Sequence, residues 1–263
     1  MDDAELARLI HLNMVEAFAS LPAYQPSGFV RRAGGVVVAA SGSPLSFFNE
    51  IISVEDHPDP EALAEAVQAV RDAGLASVAH LRAGVDNALV PVIRALGFEE
   101  VAEAFYPAMV LTQLPPALDL PAGFEVQRVG DREGFDLHLR TAAAVAGAEP
   151  DLFATWLGPG LIEDPAVSLF VGHADGMPVA MSMSVLTGDV VGIYNVGTVE
   201  AARRRGYGWA MTLAAIMSGV RDGSKFAALQ SSEMGFPLYA AHGFRTLFDY
   251  RRFRDPGPPG AWP

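Results

Sequence analysis

The stretch that decides the fold is residues 196–209, which read Val196-Gly197-Thr198-Val199-Glu200-Ala201-Ala202-Arg203-Arg204-Arg205-Gly206-Tyr207-Gly208-Trp209. Its first residues end a run rich in β-branched side chains, which predicts a strand over 189–198. Apolar side chains then recur at helical spacing from Trp209 to Val220, which predicts a helix that ends at Asp222-Gly223. A loop with two glycines and three arginines therefore joins a strand to the start of a helix.

This loop has the chemistry of an anion site. Unpaired amide N–H groups and the positive end of the helix dipole attract anions at a helix start. Glycine lets the backbone approach a phosphate closely, and arginine supplies fork-shaped donors to the same anion. The pattern fits a pyrophosphate, although it lacks both the Gly-Lys-Ser/Thr ending of a Walker loop and the glycine spacing of a dinucleotide fingerprint. By spacing alone, the residues are equally typical of an arginine-rich surface turn.

The second half of the chain alternates strand and helix around this loop. The predicted strands are 124–129, 167–174, 177–186, 189–198, 226–231 and 246–253. The predicted helices are 131–146, 150–161, the helix after the loop, and 237–242. This order indicates an α/β (α+β) fold.

Two motifs carry a resemblance to a known family. Arg203-x-x-Gly206-x-Gly208, after a Val-x-Thr strand end, resembles the acetyl-CoA motif of the GNAT N-acetyltransferase superfamily. Leu238-Tyr239-Ala240-Ala241-His242-Gly243-Phe244 resembles that family's Leu-Tyr-x-x-x-Gly-Phe segment. The resemblance covers residues 121–254 and implies a mixed, mostly antiparallel sheet flanked by helices.

The resemblance also implies a role for individual residues. The backbone at Val196, Gly197 and Thr198 would hydrogen-bond the pantetheine arm of acetyl-CoA as an added strand would. The implied pyrophosphate-binding residues are Arg203, Arg204, Arg205, Gly206, Tyr207 and Gly208. Tyr239 would lie beside the thioester sulfur and act as the general acid. The family often has asparagine where Ser232 stands, but a serine still donates and accepts hydrogen bonds, so Ser232 is expected to contact the cofactor. The family often has proline at Glu200, whose charge is expected to turn outward or to cap the helix.

The implied activity is the transfer of an acetyl group from acetyl-CoA to a primary amine of a small molecule, peptide or protein. Two alternatives stay open, namely a non-catalytic acyl-CoA-binding sensor or scaffold, and a transferase that uses a different acyl-CoA. The general base is also open: the candidates are Asp189, Glu233, Glu163, Asp164 and a water held by a backbone carbonyl. His173 precedes Ala-Asp-Gly and is interpreted as a turn residue.

The first half contains a fainter copy of the second. Ala95-Leu96-Gly97-Phe98 repeats Ala241-His242-Gly243-Phe244 at an offset of 146 residues. A predicted helix (60–73), strand (76–81), helix (86–96) and strand (105–111) follow the same order as the second half. The copy has lost the phosphate chemistry, because residues 54–61 carry four acids and no glycine, and Ile93 and Arg94 stand near the position of Tyr239.

The predicted organisation is a degenerate GNAT-like domain over 1–114, a linker over 115–123, an acetyl-CoA-binding GNAT domain over 124–254, and a proline-rich tail over 255–263. The linker has three prolines and a glycine in the ten residues 114–123. The tail has four prolines and is expected to be disordered or draped over the surface. The first domain is expected to complete the substrate cleft or the fold.

Charge and composition exclude several classes of protein. The formal net charge is −13, of which residues 1–120 contribute −10 from 6 arginines against 16 acids. Such a balance argues against a nucleic-acid partner and is compatible with a cationic substrate, although acidity also serves solubility. The chain has no cysteine, and its six histidines show no paired ligand spacing, so no metal is expected. With no long apolar run and an acidic start, we expect a cytoplasmic protein without a membrane segment; the oligomeric state stays open.

Overall fold

The computed structural model describes residues 1–101 and 106–257 and divides the chain into two compact units. Unit 1 comprises the described residues of Met1–Ala108, Ser231–Met234 and Thr246–Pro263. Unit 2 comprises Met109–Gln230 and Gly235–Arg245. The chain therefore leaves unit 1, builds unit 2, and returns to unit 1 near its end.

Helices and strands alternate along both units. The α-helices of the described chain are α1 (Asp3–Ser20), α2 (Pro60–Asp72), α3 (Val90–Ala95), α4 (Arg132–Ala146), α5 (Pro150–Ala154), α6 (Tyr207–Arg221) and α7 (Phe236–Ala241). Its strands are β1 (Phe29–Ala33), β2 (Val36–Ala40), β3 (Asn49–Ser53), β4 (Val78–Arg82), β5 (Glu99–Glu100), β6 (Pro107–Leu111), β7 (Phe124–Arg128), β8 (Val167–Ala174), β9 (Met177–Thr187), β10 (Val190–Thr198), β11 (Phe226–Gln230) and β12 (Arg245–Arg254). Short 3-10 turns lie at Leu21–Tyr24, Ser46–Phe48, Asn87–Leu89, Pro159–Glu163 and Glu200–Ala202.

Unit 1 contains a mixed sheet in the order β1-β2-β3-β4-β12. Neighbouring strands are antiparallel except β3 and β4, which are parallel and are joined through α2. The apolar face of α2 packs on this pair and on β12, with Leu63 and Val67 in the same cluster as Ile51, Ala79 and Phe253. Burial of this cluster is the main source of stability for unit 1.

Unit 2 contains a mixed sheet in the order β11-β10-β9-β8-β7. Its strands are antiparallel from β7 to β10, and β10 and β11 are parallel with α6 between them. Helix α6 lies close on the sheet, because a Cβ at Gly219 would be 2.4 Å from Cβ of Val191. The predicted fold class, a mixed and mostly antiparallel sheet flanked by helices, is confirmed.

The last strand is the main difference from the predicted organisation. The predicted boundaries keep residues 246–253 with the second half, whereas β12 pairs with β4 of unit 1 over Tyr250–Arg254. The predicted linker, residues 115–123, falls within unit 2. Strand propensity indicates that a segment is extended but not which sheet it joins, so this placement depends on tertiary contacts.

The predicted helices 150–161 and 86–96 are each interrupted, and one residue of the predicted tail is hydrogen-bonded to the fold. A Gly158-Pro159 step separates α5 from the turn at Pro159–Glu163, and Pro91 lies in the first turn of α3 after the turn at Asn87–Leu89. Asp255, expected in a disordered tail, accepts two hydrogen bonds from Arg71, from Nε at 2.8 Å and from Nη2 at 3.2 Å. Residues 258–263 of the tail, and Phe105 of the predicted strand 105–111, lie outside the described residues.

Candidate functional site

The end of β10 separates from β11. The two strands pair over Val190–Gly192 only, and the last pair is Gly192 with Ala228. β10 continues for six more residues to Thr198, where its other edge still pairs with β9 through Gly197–Met181 and Thr198–Ala180. Along this continuation, no pairing with β11 is found in the described residues, so one edge of the predicted pantetheine-binding residues, Val196 to Thr198, faces the gap between the strands.

A β-bulge shapes the same segment. The register of β10 against β9 shifts between Tyr194 and Gly197, and Asn195 within it has a φ of 52°. This left-handed conformation is one that asparagine adopts more readily than most residues. The bulge turns the strand end away from regular pairing, as bulges next to functional sites commonly do.

Gly197 has a packing role that its predicted role did not include. A Cβ on Gly197 would lie 2.5 Å from Cγ1 of Val145, near the end of α4, and 3.0 Å from Sδ of Met181. Glycine is therefore required there for α4 to approach the strand.

The start of α6 is open. Its N-cap residue is Gly206, with a φ of 84° and no side-chain hydrogen bond to the helix. Because the first N–H groups of a helix have no partner within the helix, those of α6 are available to an anion. A side chain at Gly206 would be strained, since this φ lies in the left-handed region.

The three arginines lie exposed beside this helix start. Nε of Arg203 donates to the carbonyl oxygen of Thr198 at 3.1 Å, which ties the loop to the end of β10. Arg204 has a φ of 66°. Neither Arg204 nor Arg205 forms an ion pair within residues 1–101 and 106–257. Glu200 is exposed in a 3-10 turn and is not the cap of α6, so of its two predicted placements the outward one is found.

Tyr207 and Gly208 contribute to the loop in different ways. The ring of Tyr207 is buried and stacks on Phe124, with centroids 4.2 Å apart and an interplanar angle of 9°. Only its backbone N–H lies at the helix start, so a contact from its side chain to a phosphate does not fit this geometry. A Cβ at Gly208 would meet Cδ2 of Leu238 at 3.4 Å and Oγ1 of Thr198 at 4.0 Å.

Tyr239 is buried on α7 and is connected to the loop through one threonine. Its hydroxyl is hydrogen-bonded to the side chain of Thr212, and the hydroxyl of Thr212 donates to the carbonyl oxygen of Gly208 at 2.9 Å. The ring of Tyr239 packs edge-on against Phe244 with centroids 5.8 Å apart. Burial raises the pKa of Tyr239, so the phenol stays protonated at neutral pH. Thr212 was not among the predicted site residues, and its only signal in the sequence is its place one helical turn after Gly208.

The remaining predicted residues belong to unit 1 or have other partners. Ser232 is exposed, belongs to unit 1 with Glu233, and its carbonyl oxygen accepts a hydrogen bond from Ser231 Oγ at 2.8 Å. Asp189 is ion-paired with Lys225 at 2.9 Å. It precedes the first residue of β10, six residues before Asn195 of the bulge or about 20 Å at ~3.3 Å per residue, and is not placed to act there.

Glu163, Asp164 and His173 show no geometry of a base. Glu163 ends a 3-10 turn, and Asp164 Oδ1 accepts a hydrogen bond from the N–H of Ala166 at 2.9 Å. His173, interpreted as a turn residue, is the penultimate residue of β8, and the turn itself is formed by Asp175 and Gly176 with φ of 51° and 77°. The base therefore stays unassigned.

A family model for an acetyltransferase (GNAT) domain matches residues 119–229, which contain the split strand pair and the open helix start. Residues 119–229 therefore carry a GNAT acetyltransferase domain. This match supports a GNAT-type enzyme and confirms the predicted resemblance. No curated protein matches the chain.

Solved GNAT structures share the fold over nearly the whole chain. A GCN5-related N-acetyltransferase from Kribbella flavida has a TM-score of 0.69 at 21% identity, with 96% of each chain covered. A tandem GNAT protein from the clavulanic acid biosynthesis pathway has a TM-score of 0.60 at 13% identity, covering 97% of this chain and 95% of the other. A GCN5-related N-acetyltransferase from Sphaerobacter thermophilus has a TM-score of 0.57 at 15% identity, covering 85% and 78%. These likenesses concern the fold.

Two kinds of feature are absent from the described residues. No helix in 1–101 or 106–257 combines the length and hydropathy needed to cross a membrane. Within the same ranges, no group of three or more histidine, aspartate or glutamate side chains is arranged to hold a metal ion.

Proposed function

We propose that this GNAT-type enzyme transfers an acetyl group from acetyl-CoA to a primary amine. The observation that carries the proposal is the uncapped start of α6, with Arg204 and Arg205 beside it and the open edge of β10 leading up to it. A helix start without its own cap, next to guanidinium groups without ion-pair partners in the described chain, favours a pyrophosphate. These residues fit CoA, which would supply the thioester that reacts.

The open edge of β10 supports the placement of the pantetheine arm. This arm carries two amide groups, and the edge at Val196–Thr198 presents backbone N–H and C=O groups in strand geometry. An extended amide-bearing chain can therefore pair with β10 as a further strand would. The arm would then run from the thioester, near the bulge, to the pyrophosphate at Gly206.

Tyr239 supports turnover rather than binding alone. In the proposed reaction the amine nitrogen bonds to the acyl carbon, the C–S bond breaks, and the departing sulfur takes a proton from the phenol of Tyr239. The amine attacks in its neutral form, one of its protons passes to water after the attack, and the phenolate of Tyr239 regains a proton from water. A phenol whose pKa is raised by burial keeps its proton until the thiolate forms, as a general acid requires. A site that only bound acyl-CoA would need the arginine loop but no proton donor.

We propose a cationic amine as the acceptor. Helix α4 reaches the strand end at Gly197, where Val145 leaves no room for a Cβ. The segment that follows, residues 149–164, carries Glu149, Asp151, Glu163 and Asp164 and neither lysine nor arginine. Carboxylates close to the donor thioester would concentrate positively charged amines there.

Calorimetry and a CoA-release assay together test the proposal. We expect one acetyl-CoA to bind per chain, and CoA release with members of a panel of diamines, basic peptides and neutral amines, using acetyl-, propionyl- and succinyl-CoA as donors. Faster release with propionyl- or succinyl-CoA would replace the acetyl donor. Tight binding without release across the whole panel would favour the sensor alternative, and absence of binding would overturn the proposal.

A further inference from the structure

An exposed aromatic stack lies beside the start of α6. The rings of Trp209 and His242 have centroids 3.7 Å apart and an interplanar angle of 19°. Trp209 is half-buried and packs on the core cluster of unit 2, whereas His242, the residue after α7, is exposed. Because the indole covers one face of the imidazole, the opposite face is the one that water reaches. The stack therefore presents a flat aromatic surface to solvent.

Two contacts hold the imidazole of His242 in this orientation. Its Nδ1 donates to the carbonyl oxygen of Leu238 at 2.8 Å, since a carbonyl oxygen can only accept. The indole of Trp209 supports the ring from behind. A surface whose orientation is fixed before binding loses little conformational entropy when a ligand covers it. The ring is thus prepared for a flat ligand.

The stack adjoins the proposed pyrophosphate site. The N–H of Trp209 belongs to the first turn of α6 and has no partner within the helix. A Cβ on Gly208, in the same turn, would meet Leu238 of α7 at 3.4 Å and Thr198 of β10 at 4.0 Å. Helix α7 therefore reaches the same turn of α6 as the end of the proposed pantetheine-binding strand, and His242 lies one helical turn after Leu238.

We propose that the exposed face of His242, supported by Trp209, stacks on the adenine ring of CoA. This inference rests on the proposed acetyltransferase function. In CoA the pyrophosphate joins the pantetheine arm to the ribose that carries adenine. With the arm on β10 and the pyrophosphate at the start of α6, one ribose separates the pyrophosphate from the purine. Aromatic side chains bind bases in this way, because every base has an apolar face that stacks on a ring.

Unit 1 has no counterpart of this stack. In the repeated segment Ala95-Leu96-Gly97-Phe98, the position of His242 is occupied by Leu96. A leucine side chain has no flat face on which a purine can stack. The inference therefore agrees with one CoA bound per chain, and it assigns the stack to affinity for the donor rather than to the acyl-transfer step.

Affinities for two donors test the stack. S-acetyl-4′-phosphopantetheine has the thioester and the arm of acetyl-CoA but lacks the adenosine. We expect His242→Ala to raise the Kd for acetyl-CoA about tenfold, as for loss of one base stack, and to leave the Kd for S-acetyl-4′-phosphopantetheine within about twofold. His242→Phe keeps a flat ring and should bind acetyl-CoA within about threefold of the wild type. An unchanged Kd for acetyl-CoA in His242→Ala, or a His242→Phe variant as weak as His242→Ala, would overturn the inference.

Proton NMR tests the same contact in the wild-type protein. The ring current of a stacked adenine shields protons that lie over its face, so saturation with acetyl-CoA should move the ring-proton signals of His242 upfield. Saturation with S-acetyl-4′-phosphopantetheine should not, because this donor carries no purine. The His242→Phe variant identifies the His242 signals among those of the six histidines. Unmoved His242 signals in the acetyl-CoA complex would overturn the inference.

The two donors also separate this inference from the proposed function and from a structural role of His242. If the wild type binds neither donor, the proposed function fails and this inference with it. If the wild type binds both, and His242→Ala weakens both equally, the residue supports the fold of the site and this inference alone fails. Melting temperatures identify folding defects in the variants, and the NMR measurement on the wild type decides the outcome if His242→Ala does not fold.

Discussion

Two strand–helix–strand segments of this chain, β3–α2–β4 and β10–α6–β11, share a topology and differ at the start of the helix. In both, parallel strands are joined through a helix and the first strand pairs antiparallel with its predecessor. In unit 1 the start of α2 is closed, because the carboxylate of Asp59 accepts the N–H of Glu61 at 2.9 Å and Pro60 has no N–H to offer. In unit 2 the start of α6 has only Gly206. One helix start is satisfied by its own chain, and the other is left for a ligand.

The ends of β3 and β10 also differ, because only β10 continues well beyond its pairing with the next parallel strand. β3 ends at Ser53, one residue after its last pair with β4 at Ile52. β10 extends six residues beyond its last pair with β11. Without such an extension, β3 has no long open edge for the pantetheine arm, which agrees with our prediction of a degenerate GNAT-like domain over 1–114.

The helices that follow, α3 and α7, end with the same backbone geometry but carry different side chains. The N–H of Phe98 bonds to the carbonyl of Ile93 at 3.2 Å, and the N–H of Phe244 bonds to that of Tyr239 at 3.1 Å. Gly97 and Gly243 have φ of 87° and 90°. Ile93 is thus the counterpart of Tyr239. It has the same local backbone geometry, but its side chain cannot donate a proton.

The largest expected effect is on turnover and distinguishes Tyr239 from its counterpart Ile93. Tyr239→Phe removes a proposed proton donor and keeps the ring, so kcat and kcat/KM should fall together by about 10²–10⁴-fold. Steady-state assays with a confirmed amine, alongside calorimetry, should show an unchanged Kd for acetyl-CoA. The matched variant Ile93→Leu keeps an apolar side chain in unit 1 and should leave kcat unaltered. Wild-type turnover by Tyr239→Phe, with chemistry rate-limiting, would remove Tyr239 from the reaction.

Charge reversal sharpens the comparison of the two helix starts. Arg204→Glu with Arg205→Glu should raise the Kd for acetyl-CoA about 100-fold, because two charge-assisted contacts are lost and solvent screening keeps each modest. The matched pair Arg31→Glu with Arg32→Glu makes the same charge change on β1 of unit 1 and should shift Kd by less than twofold. Equal effects of the two pairs would mean that only net charge matters. The wild-type affinity should also fall as salt is raised.

Each unit contains a buried histidine whose protonation destabilises the folded state. Burial lowers the pKa of His11 to about 3 and that of His138 to about 4. Both values lie below the unfolded value of about 6.5, so the unfolded chain binds more protons and stability falls as pH falls below about 6.5. Each histidine should remove about 2 kcal/mol between pH 7 and pH 5. Denaturant unfolding of His11→Gln and His138→Gln at both pH values should show a shallower pH dependence, and an unchanged one would contradict the assignment.

The smallest effect concerns the cap that closes α2. Asp59→Ala removes the side chain that accepts from Glu61, and should lower the free energy of unfolding by about 1 kcal/mol. Asp131→Ala is the matched change in unit 2, where Asp131 Oδ1 accepts the N–H of Gly134 at 2.8 Å at the start of α4. Denaturation curves should give similar losses for the two variants, with one acetyl-CoA bound per chain in both. Weakened acetyl-CoA binding in Asp59→Ala would show that unit 1 contributes to the binding of acetyl-CoA.

Much of the fold could be predicted where local signals are strong. The cap Asp131, the turn at Asp175-Gly176 and the apolar spacing of α6 each place an element within a residue or two of its position. Helix α1 and strands β1 to β3 were not predicted. All five residues of β2 and all five of β3 are buried, whereas four of the five residues of β1 are exposed. Such a run shows neither the helical nor the strand period.

The residues of the candidate site also fall into two groups, those that a sequence motif predicts and those that only the structure identifies. The glycines, the arginines and Tyr239 are visible in the sequence because each has a chemistry that a motif can record. Thr212 and Asn195 are not, since a lone threonine or asparagine has no pattern. They are singled out only by a hydrogen bond across one helical turn and by a positive φ within a bulge.

The sequence by itself determined the class of fold, and it predicted the open helix start and the loss of phosphate chemistry in the first half, because these depend on local spacing and charge. Only the tertiary structure decided that β12 joins the sheet of unit 1, that Tyr207 turns its ring onto Phe124, and that β10 and β11 part after Gly192. The physical reason is that pairing and burial are set by contacts between residues far apart in the chain. A single sequence records the preference of each segment for a conformation but not the partner against which that segment packs.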